Sequence, residues 1–385
     1  KDAIEKKGLE IGKAIVDAKR SERHTVKYAE HPYTRIIFMG AGINVDIVPA
    51  YKITNAKDMG TAVDRTQLHN QFVNDNMKQA QRDQVRVLKT FFKSHHIYGA
   101  EARVEGFSGY LCELLVYHYG SFNNVILGLS NLRLPTAIDA LTGERASGNN
   151  KDLDKLVKKF SKNFIVIDPT DSNRNVAASV SDESLARAVL VAHRLIGSPT
   201  KDTFFGKGYS DANSGAKIAK IAKELGVVPY VLHFKLPEIA EDITWQQLKK
   251  LSGRMDEALT SSGFRHTLAF NNISGNDGVI VTFMVEQTLH SAIVRGPSVT
   301  MTGSVESFVR SHKGAFGISV MGDRVYAIEK PKYATPKELI SYFVSDKSIP
   351  LPSTLDRRKA KLYVGKLPEN IAKIVYQAYS EKMSI

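Results

Sequence analysis

The hydrophobic and polar positions along the chain change their period several times, and each change marks a predicted element. Isoleucines recur with a helical period from the start of the chain to about residue 20. Short runs rich in β-branched residues then predict three strands, at residues 25–28, 35–39 and 43–48. Asp46 interrupts the last of these runs. The sequence therefore predicts a small sheet with a carboxylate on one strand.

The middle of the chain has a different period. Between residues 75 and 197 apolar residues mostly recur every three to four positions, which is typical of amphipathic helices. Four helices are expected, at residues 83–94, 109–120, 152–160 and 181–196. A Gly/Ser/Asp-rich stretch at residues 206–215 is typical of a connector. We therefore expect one domain over residues 1–74, a helical central domain over 75–205, and a third region after it.

Beyond the connector, strands and helices alternate. The predicted elements are strand 227–235, helix 245–261, strands 265–271 and 279–287, helix 305–311 and strand 317–330. This βαββαβ order is typical of a ferredoxin-like sandwich, a layout often used to contact RNA. Helices and a basic run, from Arg357 to Lys361, follow it. The predicted fold class is thus α+β and multidomain, with a sandwich and a helical tail over residues 206–385.

Composition and charge add a partner to this picture. The formal net charge is +13, with a pI near 9.5, and basic clusters gain affinity for phosphates by releasing counterions. We therefore expect an acidic partner. There is no uninterrupted apolar run of the length of a membrane span and no signal-peptide pattern, so we expect a cytoplasmic protein with no membrane contact. The single cysteine, Cys112, lies in an apolar run and predicts a buried structural thiol.

Asp46 is the first candidate for chemistry. A carboxylate between Val45 and Ile47 is unfavourable unless a cation or hydrogen bonds compensate its charge. A metal ion is one such compensation. The simpler alternative is an edge-strand aspartate that points to water, and both interpretations stay open at this point.

Three further features indicate an anion site. Cations recur at i+3 and i+4 steps around the helix at residues 83–94, namely Arg82, Arg86, Lys89 and Lys93. Residues 106–109 precede an apolar helix, so backbone N–H groups and the Ser108 hydroxyl collect at a helix N-terminus. A polar loop carries Thr66 and His69. A solvated basic face and an N-cap serine are the simpler alternatives, but the three features together favour a triphosphate pocket.

A polar cluster at residues 168–175 follows the strand-like run 164–167. Its Asp and Asn residues are typical of turns or of a cap for the helix that begins near Ser181. Its arginine, Arg174, suggests a second interpretation, because a guanidinium fork in a turn can read a base edge or clasp a phosphate.

Taken in order, these motifs resemble one family. The motifs are His31-Pro32-Tyr33, Val45-Asp46-Ile47-Val48-Pro49, Ala62-Val63-Asp64-Arg65-Thr66, Lys89, Ile97-Tyr98-Gly99-Ala100-Glu101, the run from Gly106 to Leu115, Asp168-Pro169 and the run from Arg174 to Ala178. Their order and spacing are similar to those of the class I (archaeal-type) CCA-adding enzymes, tRNA nucleotidyltransferases of the polymerase-beta-like superfamily. The resemblance is specific from about Gly8 to Phe205 and diffuse afterwards.

The resemblance implies an activity and roles for single residues. The family adds C, C and A to the 3′ end of tRNA without a template, from CTP and ATP with Mg²⁺, and its first domain is a palm, present here in part. Asp46 takes the role of the third metal-binding carboxylate, which makes it the expected catalytic and metal-binding residue. The residues implied to line the triphosphate site are Thr66, His69, Lys89, Tyr98, Ser108 and Gly109. Arg174 would help to select cytosine or adenine, and His31 resembles a histidine near the active site.

The resemblance also carries a departure and a set of partners. The family's Gly-Ser motif and two further carboxylates precede the helix with which the printed sequence begins. We therefore expect the printed chain alone to have no useful nucleotidyl transfer. The expected partners are CTP, ATP and tRNA, the latter clamped on its acceptor stem and T-loop side. The oligomeric state is left open, with a homodimer as one candidate.

Two alternative functions are kept. The first is a poly(A)-polymerase-like nucleotidyltransferase or an oligoadenylate synthase, which product length separates from CCA addition, because CCA addition stops after three nucleotides. The second is a non-catalytic RNA-binding module, for which binding to tRNA should weaken with salt.

Overall fold

The computed structural model describes residues 2–19, 23–28, 32–38, 43–54, 56–58, 60–147, 151–206, 208, 210–346, 351–352 and 355–383. The chain divides at residue 208 into two compact units of mixed α+β structure. Among the described residues, no helix is both long enough and apolar enough to cross a membrane.

The first unit opens with one helix and a small antiparallel sheet. These elements are α1 (Asp2–Lys19), β1 (Arg23–Tyr28), β2 (Pro32–Phe38) and β3 (Ile43–Ile47). The strand order is β1-β2-β3, and Arg35 lies opposite Asp46 in the register. The helix lies close against the sheet, because a Cβ atom on Gly12 would overlap Thr34. The predicted helix, the three strands and the position of Asp46 on a strand are confirmed.

Helices form most of the remainder of this unit. They are α2 (Arg65–Asn76), α3 (Gln79–Ser94), α4 (Gly109–Tyr119), α5 (Phe122–Ser130), α6 (Lys151–Phe160), α7 (Asp182–Gly197) and α8 (Lys201–Phe205). The four predicted helices correspond to α3, α4, α6 and α7. The apolar face of α3, with Leu88, Phe91 and Phe92 fully buried, packs into one core with α4, α5 and α7. Cys112 of α4 is buried in that core, as predicted for a structural thiol.

A four-stranded mixed sheet lies within the region that was expected to be mainly helical. Its strands are β4 (Thr136–Asp139), β5 (Arg145–Ser147), β6 (Phe164–Asp168) and β7 (Asp171–Asn175), in the order β5-β4-β6-β7. Phe164 and Val166 face the helical core, whereas Ile165 packs with Leu153 of α6 on the other face. The prediction of a helical central domain was incomplete because β4 and β5 are too short to show a strand period.

Two polar segments were also assigned wrongly. Thr66 and His69 were expected in a loop, but they lie on α2, which buries only Leu68 and so has almost no apolar period. Arg174 was expected in a turn, but it lies on β7, a strand of five polar residues that pairs with β6 through an irregular register. Tertiary contacts override weak local propensity in both segments.

The second unit begins after the connector. Its elements are α9 (Ser214–Leu225), β8 (Val228–Lys235), α10 (Glu241–Ser261), β9 (His266–Ser274), β10 (Asp277–Met284), β11 (Ala292–Ser298), α11 (Thr302–Ser311), β12 (Gly317–Met321), β13 (Arg324–Glu329), α12 (Pro336–Ser345), β14 (Lys361–Val364) and α13 (Glu369–Met383). The main sheet has the order β14-β8-β10-β9 and is antiparallel throughout. One face packs with α10 and α12, and the other with α9 and α13.

The second half of the predicted sandwich is different from the prediction. The main sheet does run βαββαβ along the chain, but its second helix is α12 and its fourth strand is β14. The predicted helix 305–311 is α11, and the predicted strand 317–330 is a hairpin of β12 and β13 that joins β11 in a separate three-stranded sheet. Gly322, with φ of 62°, makes the turn that divides this strand. The domain boundaries at residues 74 and 205 stay a prediction.

The main sheet gives a test of this fold. Leu232 on β8 is 1% exposed, whereas Leu225 at the end of α9 is 45% exposed. We expect Leu232→Ala to lower the free energy of unfolding by about 2–5 kcal/mol, because it leaves a cavity in the core. Leu225→Ala, the matched control, should change it by about 0.5 kcal/mol or less. Urea denaturation measures both, and equal effects would contradict the assignment of β8 to the centre of a core.

Candidate nucleotide-binding site

A buried carboxylate, Asp168, organises the polar centre of the first unit. It closes β6 and is 1% exposed. Its Oδ2 accepts hydrogen bonds from His69 Nε2 at 2.9 Å and Arg174 Nη1 at 2.9 Å. Its Oδ1 accepts from the Thr170 backbone N–H at 2.9 Å, from the Thr170 hydroxyl at 2.7 Å, and from Tyr110 OH at 3.4 Å. One carboxylate thus joins α2, α4 and β7.

These hydrogen bonds determine the charge state of Asp168. Burial raises the pKa of this carboxyl, but the donors from His69 and Thr170 outweigh burial and hold the pKa well below its usual range. Asp168 is therefore ionised at neutral pH. An ionised carboxylate orients the guanidinium of Arg174 and the imidazole of His69, because each presents an N–H to it.

His69 is fixed in a second way. Its ring stacks on Tyr110, with ring centroids 3.6 Å apart and an interplanar angle of 10°. Burial and the nearby carboxylate of Asp168 raise the pKa of Tyr110, so its phenol stays protonated and can donate to that carboxylate. The imidazole is thus held by the Tyr110 ring against one face and by a hydrogen bond from its Nε2 to the Asp168 carboxylate.

A second cluster lies where α3 meets the first turn of α4. Lys89 Nζ is 2.9 Å from Glu113 Oε1. Burial lowers the pKa of Lys89, but Glu113 outweighs burial, and the net pKa is raised. A Cβ atom on Gly109 would lie 3.3 Å from Tyr98 Oη and 3.5 Å from Lys89 Nζ, and Lys93 Nζ is 5.0 Å from the centroid of the Tyr98 ring. Lys89, Tyr98 and Gly109 are therefore close together, and the lysine is charged.

A cavity of about 490 Å³ opens beside these clusters. The residues that line it are Arg65, Ala100, Ser108, Phe160, Asp171, Asn173, Arg174, Asn175, Val176, Ala178 and Ser179. Ser108 caps α4, because its hydroxyl oxygen accepts a hydrogen bond from Leu111 N at 3.1 Å. The structure thus brings Ser108 and Arg174 to one cavity, although 65 residues separate them in the sequence.

The other predicted residues are less closely associated. Thr66 is exposed on α2, one turn before His69. Both oxygens of Asp46 accept hydrogen bonds from Arg35, at 2.6 and 2.7 Å. His31 lies outside the described residues. The roles implied for Thr66, Asp46 and His31 stay predictions.

A bound metal ion needs several donor atoms close together. In the described ranges, no group of three or more His, Cys, Asp or Glu side chains is arranged to hold a metal ion. Mg²⁺ requires a nearly octahedral set of oxygen ligands. Asp46 is one oxygen donor that already contacts a guanidinium, so the side chains described here do not make a magnesium site by themselves.

Sequence reasoning gave no role to several residues of this site. Asp168, Tyr110 and Thr170 form the hydrogen-bonded centre, Glu113 pairs with Lys89, and Arg65 lines the cavity. Asp168 carried a signal that could have been used. It follows the apolar run 164–167, and a carboxylate beside an apolar strand was the reason for selecting Asp46.

The buried carboxylate gives a test on stability. We expect Asp168→Ala to lower the free energy of unfolding by about 3–5 kcal/mol, because it leaves buried donors and a cation without their partner. Asp152→Asn, at a carboxylate with 83% side-chain exposure, should change it by about 0.5 kcal/mol or less. Chemical denaturation at neutral pH measures both variants, and an Asp168→Ala protein as stable as the control would contradict the role of Asp168.

The pH dependence of that difference has a definite sign. Because the pKa of Asp168 is lowered in the folded state, its ionised form stabilises the fold above the unfolded-state pKa of about 3.9. The difference between the original protein and Asp168→Ala should be constant near neutral pH. It should shrink as the pH falls below about 4 and through the lower folded-state pKa.

Comparisons with known proteins identify the family. Residues 83–205 match the family model for the second domain of tRNA nucleotidyltransferase, and residues 225–350 match the model for the C-terminal domain of CCA-adding enzyme. The CCA-adding enzyme of Archaeoglobus fulgidus is 33% identical over 347 residues, which cover 90% of this chain and 74% of that protein. The CCA-adding enzyme of Methanocaldococcus jannaschii is 31% identical over 372 residues, which cover 94% and 78%.

Similarity to solved structures adds little to these sequence matches. The solved structure of a cytoplasmic RNA terminal U-transferase is 12% identical, covers 53% of this chain and 77% of that chain, and has a TM-score of 0.37, too low to support an argument. The sequence relatives and both family models agree with one another and with the predicted resemblance. The chain belongs to the family of CCA-adding enzymes, which are tRNA nucleotidyltransferases.

Proposed function

We propose that the Asp168 cluster, the Lys89 cluster and the cavity beside them bind the incoming nucleotide during template-independent addition of CCA to tRNA. The substrates are CTP, ATP and a tRNA that lacks its 3′ end. The observation that carries the proposal is the shared cavity of Ser108 and Arg174, with Arg174 held by the ionised Asp168. A ready pocket with a few fixed polar groups is what recognition of a small ligand requires.

Arg174 is the proposed reader of the base. Asp168 takes the Nη1 donor, and a guanidinium has five N–H donors and no acceptor. Cytosine N3 and adenine N1 are both ring acceptors, whereas the corresponding nitrogens of uracil and guanine carry hydrogen. A fixed set of donors therefore suits C and A and disfavours U and G. One arginine can therefore select both bases.

The triphosphate is proposed to lie near the first turn of α4. Lys89 supplies a positive charge there, and Ser108 and Gly109 begin a helix whose N-terminal N–H groups favour anions. His69, Thr66 and Tyr98 are the further proposed ligands. Lys89 is paired with Glu113 in this structure. A bound triphosphate would take the place of that carboxylate as the anion next to the lysine.

Mg²⁺ is proposed from the resemblance. When bound, Mg²⁺ would activate the 3′ hydroxyl and stabilise the leaving pyrophosphate. Asp46 is the proposed oxygen ligand on this chain. The ion pair with Arg35 orients that carboxylate before a cation approaches.

The function is tested by incorporation. Full-length protein is incubated with tRNA lacking CCA, labelled CTP, ATP and Mg²⁺, and the products are resolved by length. We expect addition to stop after three nucleotides and to be abolished by Asp46→Ala. Long adenosine tails would favour the poly(A)-polymerase-like alternative. No incorporation by the full-length protein, or undiminished incorporation by Asp46→Ala, would contradict the assignment.

The role of Arg174 is tested by base selection. Arg174→Lys keeps the charge but loses the planar fork, so we expect incorporation of UTP and GTP relative to CTP to rise by about 10- to 100-fold, the range for loss of one bidentate base contact. Arg133→Lys, at an exposed arginine on the same unit, is the matched control and should keep the original selectivity. Unchanged selectivity in Arg174→Lys would remove Arg174 from base recognition.

A further inference from the structure

The side chain of Arg65 has a buried hydrogen-bond donor without an acceptor among the residues that the structure describes. Arg65 begins α2, is half-buried and lines the cavity that Ser108 and Arg174 also line. Its Nε is buried and has no hydrogen-bond partner in the described ranges. A buried donor without an acceptor costs free energy, and the cost is greater for a charged group. Because the same side chain lines the cavity, a ligand bound there can supply acceptors to its guanidinium.

The backbone that carries Arg65 is held firmly. Asp64, which is fully buried, accepts hydrogen bonds from Tyr51 N at 2.7 Å, Gly60 N at 3.0 Å and Thr61 N at 2.8 Å. Burial raises the pKa of Asp64, but these backbone donors outweigh it and the net pKa is lowered. Asp64 thus ties Tyr51, Gly60 and Thr61 to the start of α2, so Arg65 approaches the cavity from an anchored position.

Two arginines and one aspartate line the cavity. Arg174 is already paired with Asp168, and Asp171 Oδ1 accepts the backbone N–H of Asn173 at 3.1 Å. With Arg174 neutralised by Asp168, the lining charges that remain are the cation of Arg65 and the anion of Asp171. Within the part of the chain that the structure describes, Arg65 has no ion pair, whereas Arg174 has one.

We propose that Arg65 is a phosphate-binding residue of this site, contacting a phosphate oxygen next to the base that Arg174 reads. The inference rests on the proposed function, because the anionic groups of its substrates are phosphates. A guanidinium suits this ligand, since its N–H groups form charge-assisted and often bidentate hydrogen bonds to phosphate. Two sources share the chemistry: the triphosphate of the incoming CTP or ATP, and a backbone phosphate at the 3′ end of the tRNA.

Steady-state kinetics of the full-length protein separate the two sources. For Arg65→Ala we expect a rise of about 10- to 100-fold in one Michaelis constant, as for loss of a charge-assisted hydrogen bond. A rise in KM for CTP and ATP at saturating tRNA identifies the triphosphate. A rise in KM for tRNA at saturating nucleotide identifies the RNA phosphate. Arg65→Lys, which restores charge without the fork, should recover part of the loss.

Controls separate binding from folding. Because the Arg65 side chain has no hydrogen bond or ion pair to lose among the described residues, and its unpaired Nε is itself a cost, its Ala variant should melt at or above the temperature of the original protein. If Arg65→Ala fails to fold, Arg65→Gln carries the kinetic test, since it removes the charge but keeps a polar stem. Arg133→Ala, at an exposed arginine outside the cavity, should change neither KM.

The outcome that overturns the inference differs from one that overturns the proposed function. If Arg65→Ala or Arg65→Gln folds and leaves both Michaelis constants unchanged while Arg174→Ala impairs nucleotide use, Arg65 does not bind phosphate and the site stands. If Arg174→Ala also has no effect, or the full-length protein adds no CCA, the proposed function itself fails.

Discussion

The polar centre of the first unit depends on one buried, ionised carboxylate. Asp168 is almost completely shielded from water. Its charge is tolerated only because imidazole, guanidinium, hydroxyl and backbone donors surround it. These donors come from α2, α4 and β7, so one carboxylate links three elements. The geometry of the proposed base reader is therefore a consequence of how one charge is solvated inside the protein.

Asp64 solves the same problem with different donors. The donors described for it are the backbone N–H groups of Tyr51, Gly60 and Thr61, so it fixes backbone positions rather than orienting side chains. The two aspartates fix neighbouring parts of the same helix. Asp64 anchors the start of α2, and Asp168 holds His69 one turn further along it. Asp46 contrasts with both, because its carboxylate is partly exposed and accepts hydrogen bonds from the guanidinium of Arg35 on the neighbouring strand.

The sequence predicted what depends on local period and on short motifs. It located α3 and α4, the sheet with Asp46, and the residues Ser108 and Arg174 that share the cavity. It could not locate β7 or α2 as elements, because their residues are polar and their contacts are distant. His69 and Asp168 are 99 residues apart, and no period within either segment records that they touch. The same limit hid Arg65, whose missing partner is visible only when its surroundings are known.

The position of β14 has a consequence for how the second unit is made. The main sheet begins with β8 at residue 228 but is completed only by residues 361–364, after the separate sheet of β11, β12 and β13 has been passed. Until then one edge of β8, with its row of backbone N–H and C=O groups, has no neighbour to pair with. During synthesis, the nascent chain therefore has an unpaired strand edge until more than a hundred further residues have been added. A truncated chain that ends before residue 361 keeps this unpaired edge and is prone to self-associate.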